Sequence, residues 1–264
     1  MTGVGAAQAF GDAFLPLQPK YVFGVFVVFC RVGACMMLTP GVSSPQIPVQ
    51  VRLLIAVAVS LSLSPILIDA ETLGSLDQAP VPMLRTIAFE LAIGVLIGLL
   101  GRLFFLGLEA IASSAATMLG FSNPLGIEVE PGEALSPFAT FVVTGGTALI
   151  FFSDLHLEIL RGLSASYHTI PIGTEFNSQY ALRSVADVLS LSFRTGLRVC
   201  SPFFVYVVIV NLAMSLVSRV TPQVSIFYIS MPFTLAGALV LLYFTVKPIL
   251  DEFETVFGAW LTWG

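Results

Sequence analysis

Charged side chains are sparse in this sequence, so each one that falls within an apolar run is a candidate for chemistry. Arg31 lies near the middle of the run Tyr21 to Thr39, Glu90 near the start and Arg102 near the end of the run Thr86 to Leu106, and Arg194 and Arg198 just ahead of Val199 to Ser218. An ionised group in a lipid-facing helix is expensive, so Arg31 must face protein or a watery cavity, or its helix does not span in the conventional way. Three other groupings can be weighed as reactive sites. Glu128, Glu130 and Glu133 put three carboxylates in one Gly/Pro-rich stretch, but without EF-hand register, which favours a solvated acidic turn over a metal site. His156 and His168 have no third ligand at useful spacing, and a polar cap or interface role suits them better than metal binding. There is no GxSxG elbow and no nucleophile with a base of its own. Cys30, Cys35 and Cys200 lie in or beside apolar runs without CxxC spacing, as small buried hydrophobes do and a disulfide framework does not. The expectation is a chain with no catalytic activity, no metal and no cofactor.

The elements that carry these residues follow from composition. Of 264 residues 56% are hydrophobic and only 10% charged, with a mean hydropathy of +0.95, whereas about 25% of a soluble domain is charged. Such a chain is an integral membrane protein or an obligate part of an apolar assembly. About six apolar runs are spread over its length with no polar block large enough for a soluble module, which predicts a single domain over residues 1–264. Spanning segments must satisfy their own backbone, and these runs are too long and continuous for barrel strands, so the prediction is all-α. The net charge of −5 and scattered basic residues exclude a nucleic-acid surface, which needs clustered Lys and Arg. Lys20 is the single basic residue ahead of the first run, and Ala7-Gln8-Ala9 precedes that run instead of following it, so no cleaved signal peptide is expected.

The central feature is a pair of long apolar arms, Val199 to Ser218 and Val224 to Val246, joined by Ser218-Arg219-Val220-Thr221-Pro222-Gln223. Each arm has roughly the ~20 residues that cross a bilayer. Pro222 forces a turn or kink, giving a helical hairpin, and Pro232 makes the returning arm kinked or newly started. Upstream, Gly94, Gly98 and Gly101 share one helical face on which another backbone can approach closely, and Ala110, Ser113, Ser114 and Ala116 continue the small-residue pattern. Arg183, Asp187, Arg194 and Arg198 fall on one face of an amphipathic helix, either solvated or docking a neighbouring subunit. Asp69, Glu71 and Asp77 make the connection from Ile66 to Arg85 acidic, and Phe257, Trp260 and Trp263 end the chain on an aromatic note that suits a membrane interface.

Ser218-Arg219, Thr221-Pro222-Gln223, Ile226-Phe227 and Met231-Pro232 resemble the C-terminal signature of the FliR family of the flagellar type III export gate. Arg31-Val32-Gly33, Pro40, Pro48, Arg52 and Ser64-Pro65 resemble its N-terminal pattern, and His156, Ser166, Pro171 and Gly173 a further signature at a helix end and the loop after it. The resemblance covers nearly the whole chain. It implies stacked helical hairpins with proline-kinked helices, folded as part of a hetero-oligomer with FliP-like and FliQ-like subunits around a channel for unfolded flagellar proteins. FlhB-like and FlhA-like proteins are the implied neighbours, beside membrane lipid. Gly120, Phe121, Pro131 and Gly132 match a loop that in the family contributes to a plug closing the pore. The implied place is the bacterial inner membrane within the flagellar basal body, protruding to the periplasmic side.

The candidates for subunit contacts or the hairpin tip are Arg31, Glu90, Arg102, Arg194, Arg198, Arg219, Pro222 and Gln223. Mid-run charges agree with that, because burial against partner subunits, or lifting of the hairpins out of the bilayer, removes their cost. Two alternatives stay open. An injectisome export subunit shares the pattern more loosely, and a secondary transporter could use the broken arm at Pro222 and Pro232 as a substrate site with Glu90, Arg102 or Arg31 coupling ions. Transporter folds carry an internal repeat. Only a faint echo is present here, Arg31 with Thr39-Pro40 against Arg219 with Thr221-Pro222.

Overall fold

The computed structural model describes residues 19–43, 47–68, 79–119, 137–174, 176–220 and 226–263. Among these the regular structure is seven α-helices and no strand: α1 Pro19–Leu38, α2 Val49–Leu67, α3 Pro80–Leu119, α4 Pro137–Phe152, α5 Leu155–Thr169, α6 Ser178–Val220 and α7 Ile226–Trp263. Proline opens α1, α3 and α4, where a missing N–H costs nothing and φ is already helical. Asn177 caps α6 through Oδ1, which accepts from the amides of Gln179 and Tyr180 at 3.1 and 3.2 Å. Asp154 separates α4 from α5 with a left-handed φ of 56°, a conformation that Asp tolerates better than most residues. Serines inside apolar helices bond back to their own backbone: the hydroxyls of Ser60 and Ser64 donate to the carbonyls of Ala56 and Ser60, each at 2.6 Å.

Five helices are long and apolar enough to cross a membrane, and α4 with α5 would form a sixth, broken span. The protein is an all-α integral membrane protein. Helices α3, α6 and α7 have 40, 43 and 38 residues, so at ~1.5 Å per residue each is roughly twice as long as the ~30 Å hydrocarbon core is thick. They exceed the apolar runs in the sequence because the flanking Ala, Arg, Leu and Glu residues keep the helix going. Residues 80–85, expected in a connection, thus belong to α3, and α7 continues through Pro232 and Pro248 without starting afresh. Asp69, Glu71, Asp77, Glu128, Glu130 and Glu133 lie outside the described residues, as do the candidate plug positions Gly120, Phe121, Pro131 and Gly132 and the hairpin-tip residues Pro222 and Gln223.

The chain divides into two compact units, residues 1–102 with 159–184 and residues 103–158 with 185–264. In the first, α1 is central. Its Val28, Val32, Cys35 and Met36 pack with Ala56 of α2, Ile68, and Leu163 and Tyr167 of α5. Helix α3 closes onto α1 through Gly94 and Gly98, where a Cβ would collide with the backbone carbonyls of Arg31 and Cys35. Gly101, on the same face, has only ordinary contact with Pro40. This is the close approach that small residues permit.

In the second unit α6 and α7 form an antiparallel hairpin. The Tyr206 hydroxyl donates to the Thr234 carbonyl at 2.9 Å, and further from the tip Arg198 meets Glu252. Beyond that contact Phe253 and Phe257 of α7 join Phe104 and Phe105 of α3 in an aromatic cluster with centroid spacings of 5.1–5.8 Å, within the range where edge-to-face and offset rings attract. Gly107 and Gly196 let α3 and α6 approach, Gly107 lying against Ser192 and Gly196 against Ile111.

Candidate functional site

Arg31, which the sequence marks as an anomaly, is completely buried, and so is Glu90. Arg31 is carried on the α1 face that meets α3, and Glu90 sits one helical turn before Gly94, the residue whose missing side chain lets α3 come close. The guanidinium grips the carboxylate with two bonds, Nε to Oε2 at 2.7 Å and Nη2 to Oε1 at 3.0 Å. Its remaining donors point to a third element. Nη2 also donates to the Ile170 carbonyl at 3.0 Å and Nη1 to the Ser166 hydroxyl at 3.2 Å. The Tyr167 ring lies under the guanidinium carbon at 4.0 Å, and its hydroxyl donates to the Val28 carbonyl at 3.3 Å. Glu90 Oε1 in turn accepts from the Gly173 amide at 3.3 Å, in a turn where Gly173 has φ of 84° and relieves the strain another residue would feel.

The arrangement is a closed polar knot in an apolar core. Fully buried charges are tolerable only when paired and when their other hydrogen-bonding positions are filled, and among the described residues no buried side-chain nitrogen or oxygen lacks a partner. With both charges matched and enclosed, the pair is built to hold α1, α3, α5 and the Ile170–Gly173 turn in one arrangement. It has no open face for a substrate. Among the described residues there is no group of three His, Cys, Asp or Glu able to hold a metal.

The expected subunit-contact role needs correction for two residues. Arg31 and Glu90 turn to each other within the first unit, and no surface of either is left for a neighbour. Arg102, Arg194, Arg198 and Arg219 are exposed; Arg102 Nη1 donates to the Ser43 hydroxyl at 3.2 Å, and Arg198 pairs with Glu252. Arg183 and Asp187 are exposed with them, while Val188 on the other side of α6 is buried and Leu189 and Phe193 are only partly covered. His156 reaches the Ile150 carbonyl at 3.4 Å and lies against Phe151, and the three cysteines are buried thiols. Sequence reasoning did not connect Arg31 to Glu90, 59 residues away, and it missed Tyr167 and the Ile170 carbonyl altogether. The one available signal was the grouping of Ser166, Pro171 and Gly173, two of which belong to the knot.

Residues 22–260 match the family described as "Bacterial export proteins, family 1". The chain belongs to that family. Among the relatives of this bacterial export protein are proteins named flagellar biosynthetic protein FliR. That of Caulobacter vibrioides is 28% identical over 92% of this chain and 93% of its own length. That of Escherichia coli is 27% identical over 84% of both chains, and that of Aquifex aeolicus 28% identical over 87% of this chain and 88% of its own. The match runs through Arg31, Glu90, Ser166 and Gly173, so the buried knot lies inside the shared region of this export-family membrane protein.

Proposed function

We propose that this export protein is a non-enzymatic core subunit of the flagellar type III export gate. It assembles with FliP-like and FliQ-like subunits into the channel through which unfolded flagellar proteins pass, next to FlhB-like and FlhA-like proteins. The observation that carries this reading is the family match along residues 22–260, with relatives named for flagellar biosynthesis covered over most of their length. The geometry adds physical support. Helix α2 buries only Ala56, Ser60 and Ser64 and exposes Leu53, Leu54, Val57, Leu61 and Ile66, and the outer parts of α6 and α7 expose Val205, Ile209, Leu212, Phe233, Tyr243 and Phe244. Helices this long cannot hide all of that apolar surface in one bilayer core, so neighbouring subunits cover part of it.

In this reading the two compact units act together as one domain. Exposed Arg102, Arg194, Arg198 and Arg219 are the charged positions left for inter-subunit contacts, with Pro222 and Gln223 at the hairpin tip and Gly120, Phe121, Pro131 and Gly132 in the plug loop. The site of action is the inner membrane at the flagellar basal body, protruding towards the periplasm. The test is co-expression with the genomic neighbours, capture through a terminal tag, and native mass spectrometry of the detergent-solubilised complex. A discrete hetero-oligomer in which this chain is the minority subunit is the expected result. A stable, protease-resistant monomer without partners would overturn the reading.

A further inference from the structure

The hairpin of α6 and α7 is held at two levels, with a groove between them. The block remote from the tip is held by the buried rings of Phe253 and Phe257 on Phe104 and Phe105. The block towards the tip is stitched by Tyr206, whose hydroxyl bonds the Thr234 carbonyl and whose ring fills the space left by Gly237. Between them lies a groove of about 250 Å³ lined by Arg198, Val199, Pro202, Thr245, Pro248, Ile249 and Glu252. Each helix has a proline at this level, so neither has a complete ladder there: Pro202 cannot donate to the Arg198 carbonyl, and Pro248 cannot donate to that of Phe244. The Ser201 hydroxyl donates to the freed Arg198 carbonyl at 2.8 Å, which stabilises a break without stiffening it. Across the groove runs one ion pair, from Arg198 Nη1 to Glu252 Oε1, with side chains 65% and 34% exposed.

Among the described residues, burial along the hairpin thins out towards its tip. Helix α4 lies along the block remote from the tip, with Gly146 against Phe105 and Phe253, and reaches Phe203 through Phe138 at 4.9 Å between ring centroids. Beyond Phe203, the buried residues among those described in the arm are Val207 and Ala238. Charge changes at the same level. From Val199 to Ser218 and from Ile226 to Val246 there is no charged residue, whereas Arg183, Asp187, Arg194 and Arg198 on α6 and Lys247, Asp251, Glu252 and Glu254 on α7 lie on the other side.

We propose that Pro202 and Pro248 form a paired hinge about which the apolar arm swings as a rigid body, and that the Arg198–Glu252 ion pair is the clasp that sets its resting angle. Kinks have identifiable causes, and two prolines at one level of an antiparallel pair are the arrangement that lets both helices bend together. The lever is long enough to matter: 203–220 at ~1.5 Å per residue gives an arm of about 27 Å, so a rotation of about 10° moves its tip by about 5 Å. This inference rests on packing and backbone chemistry inside the hairpin and does not depend on the proposed partners.

The test is a pair of distance measurements by pulsed electron resonance, on the full chain in membrane vesicles with its co-expressed neighbours. Spin labels at Ser215→Cys and Thr255→Cys report across the joint, labels at Ser215→Cys and Leu239→Cys report within the arm, and the parent chain with its buried cysteines serves as the blank. Arg198→Ala should broaden or shift the cross-joint distribution by about 5 Å, the tip movement expected for a small rotation, and leave the within-arm one unchanged. The pair Arg198→Glu with Glu252→Arg should restore it, and Pro202→Ala with Pro248→Ala should narrow it. A cross-joint distribution that stays as narrow as the within-arm one in Arg198→Ala would overturn the proposal, and so would equal changes in both distances, because the arm would then not be a rigid body.

Discussion

Arg31–Glu90 and Arg198–Glu252 use the same two residue types, and their settings give them opposite characters. The first pair is fully buried and bidentate, and it is shared with Ser166, Tyr167, Ile170 and Gly173. The second is a single contact between exposed side chains beside two prolines. Burial multiplies what a charge can cost or contribute, because an unmatched ion in an apolar core has no water to turn to. Exposure reduces the same contact to a bias that thermal motion can overcome. The lesson is that a knot and a clasp can be made from identical parts, and the surrounding dielectric and the number of further hydrogen bonds decide which one results.

Breaking each pair separates the two most sharply. Arg31→Ala or Glu90→Ala leaves one buried charge alone and should destabilise by about 3–5 kcal/mol, read as loss of the protein from membranes by quantitative immunoblot. The charge swap Arg31→Glu with Glu90→Arg should not rescue it. The incoming carboxylate would face the Ile170 carbonyl and the incoming guanidinium the Gly173 amide, acceptor against acceptor and donor against donor. The corresponding swap at Arg198 and Glu252 meets no such obstacle.

The next largest effect is expected at Gly98. Its replacement by Val pushes a side chain into the Cys35 carbonyl and Leu38 Cβ, and overpacking of this kind costs about 1–3 kcal/mol; thermal-shift measurement in detergent should show a lower midpoint. Tyr206→Phe removes one hydrogen bond to the Thr234 carbonyl, worth about 0.5–1.5 kcal/mol, and should raise the protease sensitivity of the arm with little change in abundance. Arg198→Ala should cost no more than about 1 kcal/mol of stability, so wild-type abundance together with altered arm geometry is its expected signature. An abundance loss in Arg198→Ala as large as that in Arg31→Ala would erase the distinction between the two pairs.

Legibility differed from residue to residue. Gly94 and Gly98 were readable because helical periodicity puts them on one face and a missing side chain has a single geometric use there; Gly101 obeys the same periodicity yet meets only Pro40. Pro222 announced the hairpin because a proline cannot continue a helix unperturbed, while Pro202 and Pro248 carry the same chemistry and drew no attention inside otherwise apolar runs. Helix ends were misjudged wherever hydropathy faded before helix propensity did, as at 80–85. Arg31 was conspicuous for its cost alone.

By itself, then, the sequence determined the class, an all-α membrane protein of an export family, because backbone satisfaction in lipid and the order of polar signatures depend only on local composition and spacing. It also determined that Arg31 must be neutralised somewhere. Only the tertiary structure decided that Glu90 does this, that Tyr167 and the Ile170–Gly173 turn complete the enclosure, and that Arg198 meets Glu252 where two prolines coincide. These pairings join residues 54 to 139 positions apart in the chain. A side chain advertises its need for a partner locally, but which partner arrives is set by how the helices stack.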